Sequence, residues 1–171
     1  MSARSFLDTN ILAYTDDADA PEKQSKALEI VERCRRERTG VVSTQVLQEY
    51  FVTATKKLRV PTEDAKRKAE LFGRFSLFRI ELDDILAAID LHRFHQFSLW
   101  GGLVIRAALQ SGCSILFSED LQTGRRLPFP RICSSSDTAV TQGNPRRHPG
   151  PRTCSDGRFG IASPHRSTLI Q

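Results

Sequence analysis

Short apolar runs alternate along the chain with longer stretches whose apolar residues recur every three or four positions. The short runs are Ser5-Phe6-Leu7, Val41-Val42-Ser43 and residues 114–117, and each predicts a strand buried on both faces. Residues 77–82 alternate with period two, and Arg131-Ile132 offers one more short strand. The longer stretches predict helices. Residues 11–14 form a helical turn, and residues 22–38 a helix entered at Pro21 and ended by Gly40, with Ala27, Leu28, Val31 and Cys34 on its inner face. Ser43 or Thr44 can cap a helix reaching about residue 58, carrying Val46, Leu47, Tyr50, Phe51 and Ala54 inward. Pro61 opens a helix lasting to about residue 74. Asp83 caps one through about residue 94 with Ile85, Leu86 and Ile89 buried. Ser98 caps one to about residue 111 with Leu99, Leu103, Val104 and Ala107 inward. Trp100 reads as core, and Gly112 stops the last helix.

Strands alternating with helices imply right-handed crossovers and a mainly parallel sheet covered on both faces. The expected fold is therefore α/β, with three layers around a central sheet. After Ile132 the pattern stops. Residues 133–171 hold half of the eight prolines and no apolar periodicity, a composition that does not repay its ordering entropy, so a disordered tail is expected beyond a domain of residues 1–132.

Composition narrows the picture only a little. The chain of 171 residues is enough for one domain with a real core. Its net charge is +5, but residues 133–171 carry five Arg against two Asp, so most of the surplus lies in the tail. The body is weak evidence for nucleic acid, although basic loops can still attract phosphate. Cys34, Cys113, Cys133 and Cys154 are far apart, which excludes a zinc knuckle or a dense disulfide framework. His92 and His95 read as solvated or packing residues, and the Arg33, Arg35, Arg36 and Arg38 run as the solvated end of a helix. Residues 1–4 lead straight into a strand without a secretory signal, and no apolar run is long enough to span a bilayer, so a cytoplasmic protein is expected.

The candidate chemistry is carried by three acids. Asp8 closes the first strand, Glu49 lies in the helix after the second, and Asp120 follows residues 115–117. The C-terminal edges of parallel strands are where open α/β sheets build their sites. Carboxylates converging there repel one another unless a cation sits between them, and oxygen donors favour a hard ion such as Mg2+ or Mn2+. Taken singly, Asp8 is a helix cap, Glu49 a solvated residue at the edge of an apolar face, and Asp120 a turn cap.

Ser5-Phe6-Leu7-Asp8-Thr9-Asn10-Ile11-Leu12 resembles the opening motif of PIN-domain ribonucleases, most closely the VapC-type toxins of bacterial toxin–antitoxin pairs. Ser43-Thr44-Gln45-Val46-Leu47-Gln48-Glu49-Tyr50-Phe51 is similar to their second motif. Gly112-Cys113, Ser118-Glu119-Asp120-Leu121-Gln122 and Gly124-Arg125 match the third. The resemblance covers about residues 5–132, in order and in register. It implies a PIN-like fold and an Mg2+- or Mn2+-dependent endoribonuclease in which Asp8, Glu49 and Asp120 hold the metal. Asn10 and Ser118, and less directly Thr9 and Glu119, would orient a ligand or a water. It further implies an RNA substrate, a cognate antitoxin protein that blocks the acidic pocket, and a homodimer. Arg125 and Arg126 read as ordinary exposed arginines rather than phosphate contacts.

One position departs from the pattern. Ser98-Leu99-Trp100-Gly101-Gly102 corresponds to a segment in which an Asp follows the Trp, and here Gly101 stands in its place. With Ser98 as the cap, Gly101 is the third helical residue, where an acid is favoured. Two adjacent glycines inside a helix cost about 1 kcal/mol each relative to Ala. The expectation is a site weakened by the loss of one acid in four. The alternative is an inactive PIN-like module that titrates antitoxin or binds RNA without cleaving it. A receiver-like signalling domain is a third reading, and the helix-borne Glu49 fits it poorly.

Overall fold

The computed structural model describes residues 3–119 and the backbone of residues 131–133. The described elements are β1 (Ser5–Leu7), α1 (Thr9–Tyr14), α2 (Pro21–Glu37), β2 (Gly40–Ser43), α3 (Thr44–Lys56), α4 (Thr62–Phe72), β3 (Ser76–Phe78), α5 (Leu82–His95), α6 (Leu99–Gln110), β4 (Ile115–Phe117) and β5 (Arg131–Cys133). Asp120, Arg125, Arg126 and the tail expected to be disordered lie outside the described residues. Among those described, no helix is long and apolar enough to cross a membrane.

The five strands form one sheet in the order β3-β2-β1-β4-β5, and every pairing is parallel. The chain builds outward from β1 through β2 to β3, then returns to lay β4 on the other side of β1. That reversal makes the β1–β4 boundary the switch point of the sheet, where a crevice opens at the strand C-termini. β1 and β2 are buried throughout, as strands covered on both faces must be.

The helices start where short polar side chains satisfy their free N–H groups. Asp8 accepts from the Thr9 N–H, Ser43 from the Val46 N–H at 3.3 Å, and Ser98 from the Gly101 N–H at 2.9 Å. The core gathers Phe6, Leu7, Ile11, Leu12, Ile30, Val41, Val42, Val46, Ile105 and Leu116 around the sheet. Tyr50 packs edge-on to Phe72 with centroids 5.0 Å apart and donates its hydroxyl to Asp16 at 2.7 Å. Lys68 also reaches Asp16, so the acidic loop after α1 is tied to α3 and α4.

Several expectations about faces are corrected. On α2 the buried residues are Ala27, Ile30 and Cys34, while Leu28 is exposed. α2 ends at Arg38 in the left-handed conformation, and Gly40 already belongs to β2. Pro61 is the N-cap of α4 rather than its first residue. On α5, Ile85, Leu86 and Ile89 are exposed and the buried residues are Asp84 and Ala88. The cause is the partner helix: α5 rests on α6 through Ala88 against Gly102, a close approach that only small residues allow. Arg106 of α6 then donates to Asp84 at 3.1 Å. Leu99 and Trp100 are likewise exposed, because the first turn of α6 projects beyond the core at the crevice.

Candidate functional site

At the C-terminal edge of the sheet, Asp8 follows β1 directly and Ser118 follows β4 directly. Pairing of β1 with β4 brings them together. The Asp8 N–H donates to the Phe117 carbonyl at 3.0 Å, and the Ser118 hydroxyl donates to Asp8 Oδ2 at 2.5 Å. The Thr9 N–H donates to Asp8 Oδ1 at 2.6 Å. Asp8 and Ser118 are both buried. Donors on both carboxylate oxygens hold the side chain in one rotamer.

Glu49 arrives from α3, about one and two-thirds turns beyond the Ser43 cap. Its Oε2 accepts from the Thr9 hydroxyl at 2.8 Å, and its Oε1 from Gln45 Nε2 at 3.2 Å. Thr9 therefore links the two acids, since its backbone holds Asp8 and its side chain holds Glu49. Asp8, Thr9, Asn10, Gln45, Glu49 and Gly101 line one cavity of about 730 Å³, whose rim includes Trp100. The structure thus brings Asp8, Glu49 and the Gly101 position together, with Asn10 in the wall and Ser118 behind Asp8. Asp120 falls outside the described residues.

Glu119 accepts from the Tyr14 hydroxyl at 2.6 Å and from Lys23 at 3.0 Å. Burial, then the Glu119 hydrogen bond, pushes the Tyr14 phenol above its ordinary range, while bonds to Tyr14 and Glu119 hold Lys23 protonated. His92 bonds the Phe97 carbonyl and His95 lies beside the Phe97 ring, so both serve packing at the end of α5.

Among the described residues, the walls of this cavity contain buried polar atoms with no hydrogen-bond partner. Asn10 Nδ2 and Oδ1 and Gln45 Oε1 are buried without a hydrogen-bond partner. Each such atom costs about 1–3 kcal/mol, and native interiors hold few. All three belong to residues lining the acidic cavity. Among the described residues no group of three or more His, Cys, Asp or Glu is placed to hold a metal. Mg2+, however, is commonly held by one or two carboxylates and keeps several waters. The donors present fit a hard divalent cation in kind. On the α6 side, Gly101 contributes no donor side chain.

Sequence reasoning missed Gln45, although a readable signal was there. It precedes Glu49 by four residues and so shares its helix face. Trp100 was misplaced in the core, and instead it stands at the cavity rim with 59% of its surface exposed.

No protein-family model and no curated protein matches the sequence. Solved structures do. A toxin–antitoxin complex from Klebsiella pneumoniae matches with a TM-score of 0.55 and 18% identity, over 77% of this chain and 97% of that one. VapBC2 from Rickettsia felis, bound to a DNA fragment from their promoter, matches with a TM-score of 0.54 and 19% identity, over 76% and 97%. DNA-bound VapBC from Salmonella typhimurium gives 0.55 and 18%, over 78% and 99%. At such identities the likeness shows architecture alone: with the sheet order described above, the chain has a PIN-like α/β fold shared with these toxin–antitoxin structures.

Proposed function

We propose that this chain is a divalent-metal-dependent endoribonuclease of the toxin–antitoxin kind, working with an incomplete acidic site. The observation that carries the reading is the joint anchoring of Asp8 and Glu49 through Thr9 in one cavity at the sheet's switch point. Mg2+ or Mn2+, when bound, would lower the pKa of a water and offset charge on the phosphorus oxygens. The protein's part is positional. Ser118 and the Thr9 N–H hold Asp8, while the Thr9 hydroxyl and Gln45 hold Glu49. Asp120 is proposed as the third acid on the family motif alone. Trp100, exposed on the rim, offers a ring face on which an RNA base can stack.

An antitoxin partner and a homodimer belong to the same proposal. The exposed row Leu82, Ile85, Leu86 and Ile89 along α5 supports a protein partner, because apolar side chains at helical spacing are costly to leave in water. The second reading, a module that binds without cutting, is favoured by Gly101. With no side chain there, the cavity lacks the acid that the family motif supplies.

Cleavage of a generic RNA in Mg2+, with and without EDTA, by the natural chain and by Gly101→Asp separates the two. The added carboxylate should raise the EDTA-sensitive rate by at least about tenfold, the lower end of what completing a metal environment contributes. Equal EDTA-sensitive rates for both proteins would refute the impaired site. Cleavage by neither would favour the binding module.

A further inference from the structure

α1 is a helix of six residues that grips the chain at both of its ends. At its start the Asp8 carboxylate accepts the Ser118 hydroxyl at 2.5 Å. At its finish the Tyr14 hydroxyl donates to Glu119 Oε2 at 2.6 Å. Ser118 and Glu119 are consecutive, so one short helix holds the same turn at two points. Helix side chains lean toward the N-terminus, which is how Tyr14, about 9 Å of helix beyond Asp8, reaches the neighbour of Asp8's own partner. The turn needs holding, because Phe117 is the last residue of β4 in the ladder with β1.

Lys23, in the first turn of α2, closes the arrangement. Its Nζ donates to the Tyr14 hydroxyl oxygen and to Glu119 Oε2, each at 3.0 Å, and lies 4.6 Å from the centre of the Tyr14 ring. The phenol proton is thereby left for Glu119. The Glu119 side chain is 19% exposed, so these bonds are shielded rather than freely solvated. A short O–H···O− bond is also among the stronger kinds. Tyr14 itself lines the acidic cavity. We propose that Tyr14 is a positioning residue for the candidate metal site: by holding Glu119 it fixes the turn after β4 and keeps the Ser118 hydroxyl on Asp8. This rests on the metal-dependent reading above and adds a residue that acts through its neighbours, without binding the ion. Two attachments define the orientation of the turn, where one would let it swing about the Ser118 bond. The competing account is a tie that fastens α1, α2 and the turn for stability and does nothing for the acid.

The test compares the full natural chain with Tyr14→Phe, which removes a hydroxyl and no charge, and with Glu119→Gln and Glu119→Ala. Both Glu119 variants lose the charge, but only glutamine keeps an oxygen for Tyr14. Mn2+ affinity is read by electron paramagnetic resonance. In the metal-free proteins, hydrogen exchange is read at the Asp8 amide, which bonds the Phe117 carbonyl, with urea unfolding as the global control. Tyr14→Phe should weaken Mn2+ binding about tenfold, the low end for loss of an outer partner of a metal site. Exchange at Asp8 should speed up by about tenfold, beyond any change at Ile30 in the core of α2. Glu119→Gln should bind Mn2+ about tenfold more tightly than Glu119→Ala. A Tyr14→Phe protein that loses urea stability yet binds Mn2+ as the natural chain does overturns the assignment and leaves the metal reading standing. Weaker Mn2+ binding without faster exchange at Asp8 overturns it too, since the effect would not pass through that acid. If the natural chain binds no Mn2+, both fall. Should Tyr14→Phe fail to fold, the two Glu119 variants decide, and equal affinities overturn the assignment.

Discussion

Gly102→Ala tests the packing that places the candidate site. A Cβ at residue 102 would lie 2.9 Å from the Ala88 carbonyl oxygen and 3.4 Å from both Ala88 Cα and Cβ. The first two neighbours are α5 backbone, so relief requires moving the helix rather than a side-chain tip. Two terms compete. Alanine gains about 1 kcal/mol over glycine inside a helix. Overpacking a close contact costs about 1–3 kcal/mol. The balance is destabilisation by up to about 2 kcal/mol, or a melting temperature lower by a few degrees in a domain of this size. Gly73→Ala supplies the contrast. Its Cβ would meet the Ala69 carbonyl at 3.3 Å and the Leu47 side chain at 3.8 Å, and its φ of −63° suits any residue. There the entropic gain of about 0.4–1 kcal/mol should win or break even. Urea unfolding of both variants in metal-free buffer reads the pair. A Gly102→Ala midpoint at or above that of the natural chain would refute the claim that the α5–α6 approach requires glycine.

Two more predictions concern the buried polar groups. Ser118→Ala leaves Asp8 without one of its donors and should destabilise the protein by about 1.5–3 kcal/mol, the range for a hydrogen bond to a charged group; in a double-mutant cycle with Asp8→Asn the two effects should not add, and additivity would show the bond contributes nothing. Burial raises the Cys113 thiol to about 11 and pushes Cys34 up as well. A raised folded-state pKa gives stability that is complete below the ordinary thiol value and lost as pH climbs through the folded one. Stability should therefore fall between about pH 9 and pH 11, and Cys113→Ala should flatten the fall in urea midpoints; an equally steep decline in that variant would assign it to other groups.

The strands and the two described acids were legible because each rests on a local rule. Asp8 and Ser43 are helix caps at strand ends, and Glu49 lies on the helix that Ser43 starts. Helix faces were less legible, for a physical reason. Apolar spacing shows that a face exists but not what covers it. On α5 the row of Ile85, Leu86 and Ile89 reads as inward, yet the helix turns its small residue, Ala88, to α6 because Gly102 permits close approach. Trp100 was misjudged similarly, since nothing local reveals that the first turn of α6 overhangs the crevice. Gln45 went unnoticed because a glutamine in a helix is usually solvated. Its significance comes from Trp100, fifty-five residues away, whose carbonyl it faces.

The two adjacent glycines read alike in the sequence, as one breach of helix chemistry, and the structure separates them. Gly102 is buried against α5 backbone and has a packing reason to lack a side chain. Gly101 is only partly buried, receives the Ser98 cap on its N–H and lines the acidic cavity. The case for a weakened site therefore rests on Gly101 alone, which makes it narrower and easier to test. On the proposed reading, a glycine in place of an acid there would also carry a compensation. Fewer like charges share the cavity when no cation is present, so the glycine form should be the more stable of the two without metal. At an effective dielectric of about 20, two like unit charges about 4 Å apart repel by about 4 kcal/mol, falling in inverse proportion to their distance. That exceeds the few tenths of a kcal/mol to about 1 kcal/mol that an acid at a helix's first turn returns. On the proposed reading, a glycine that removes a metal ligand and spares the empty protein a repulsion would be a stability–activity trade-off at a single residue.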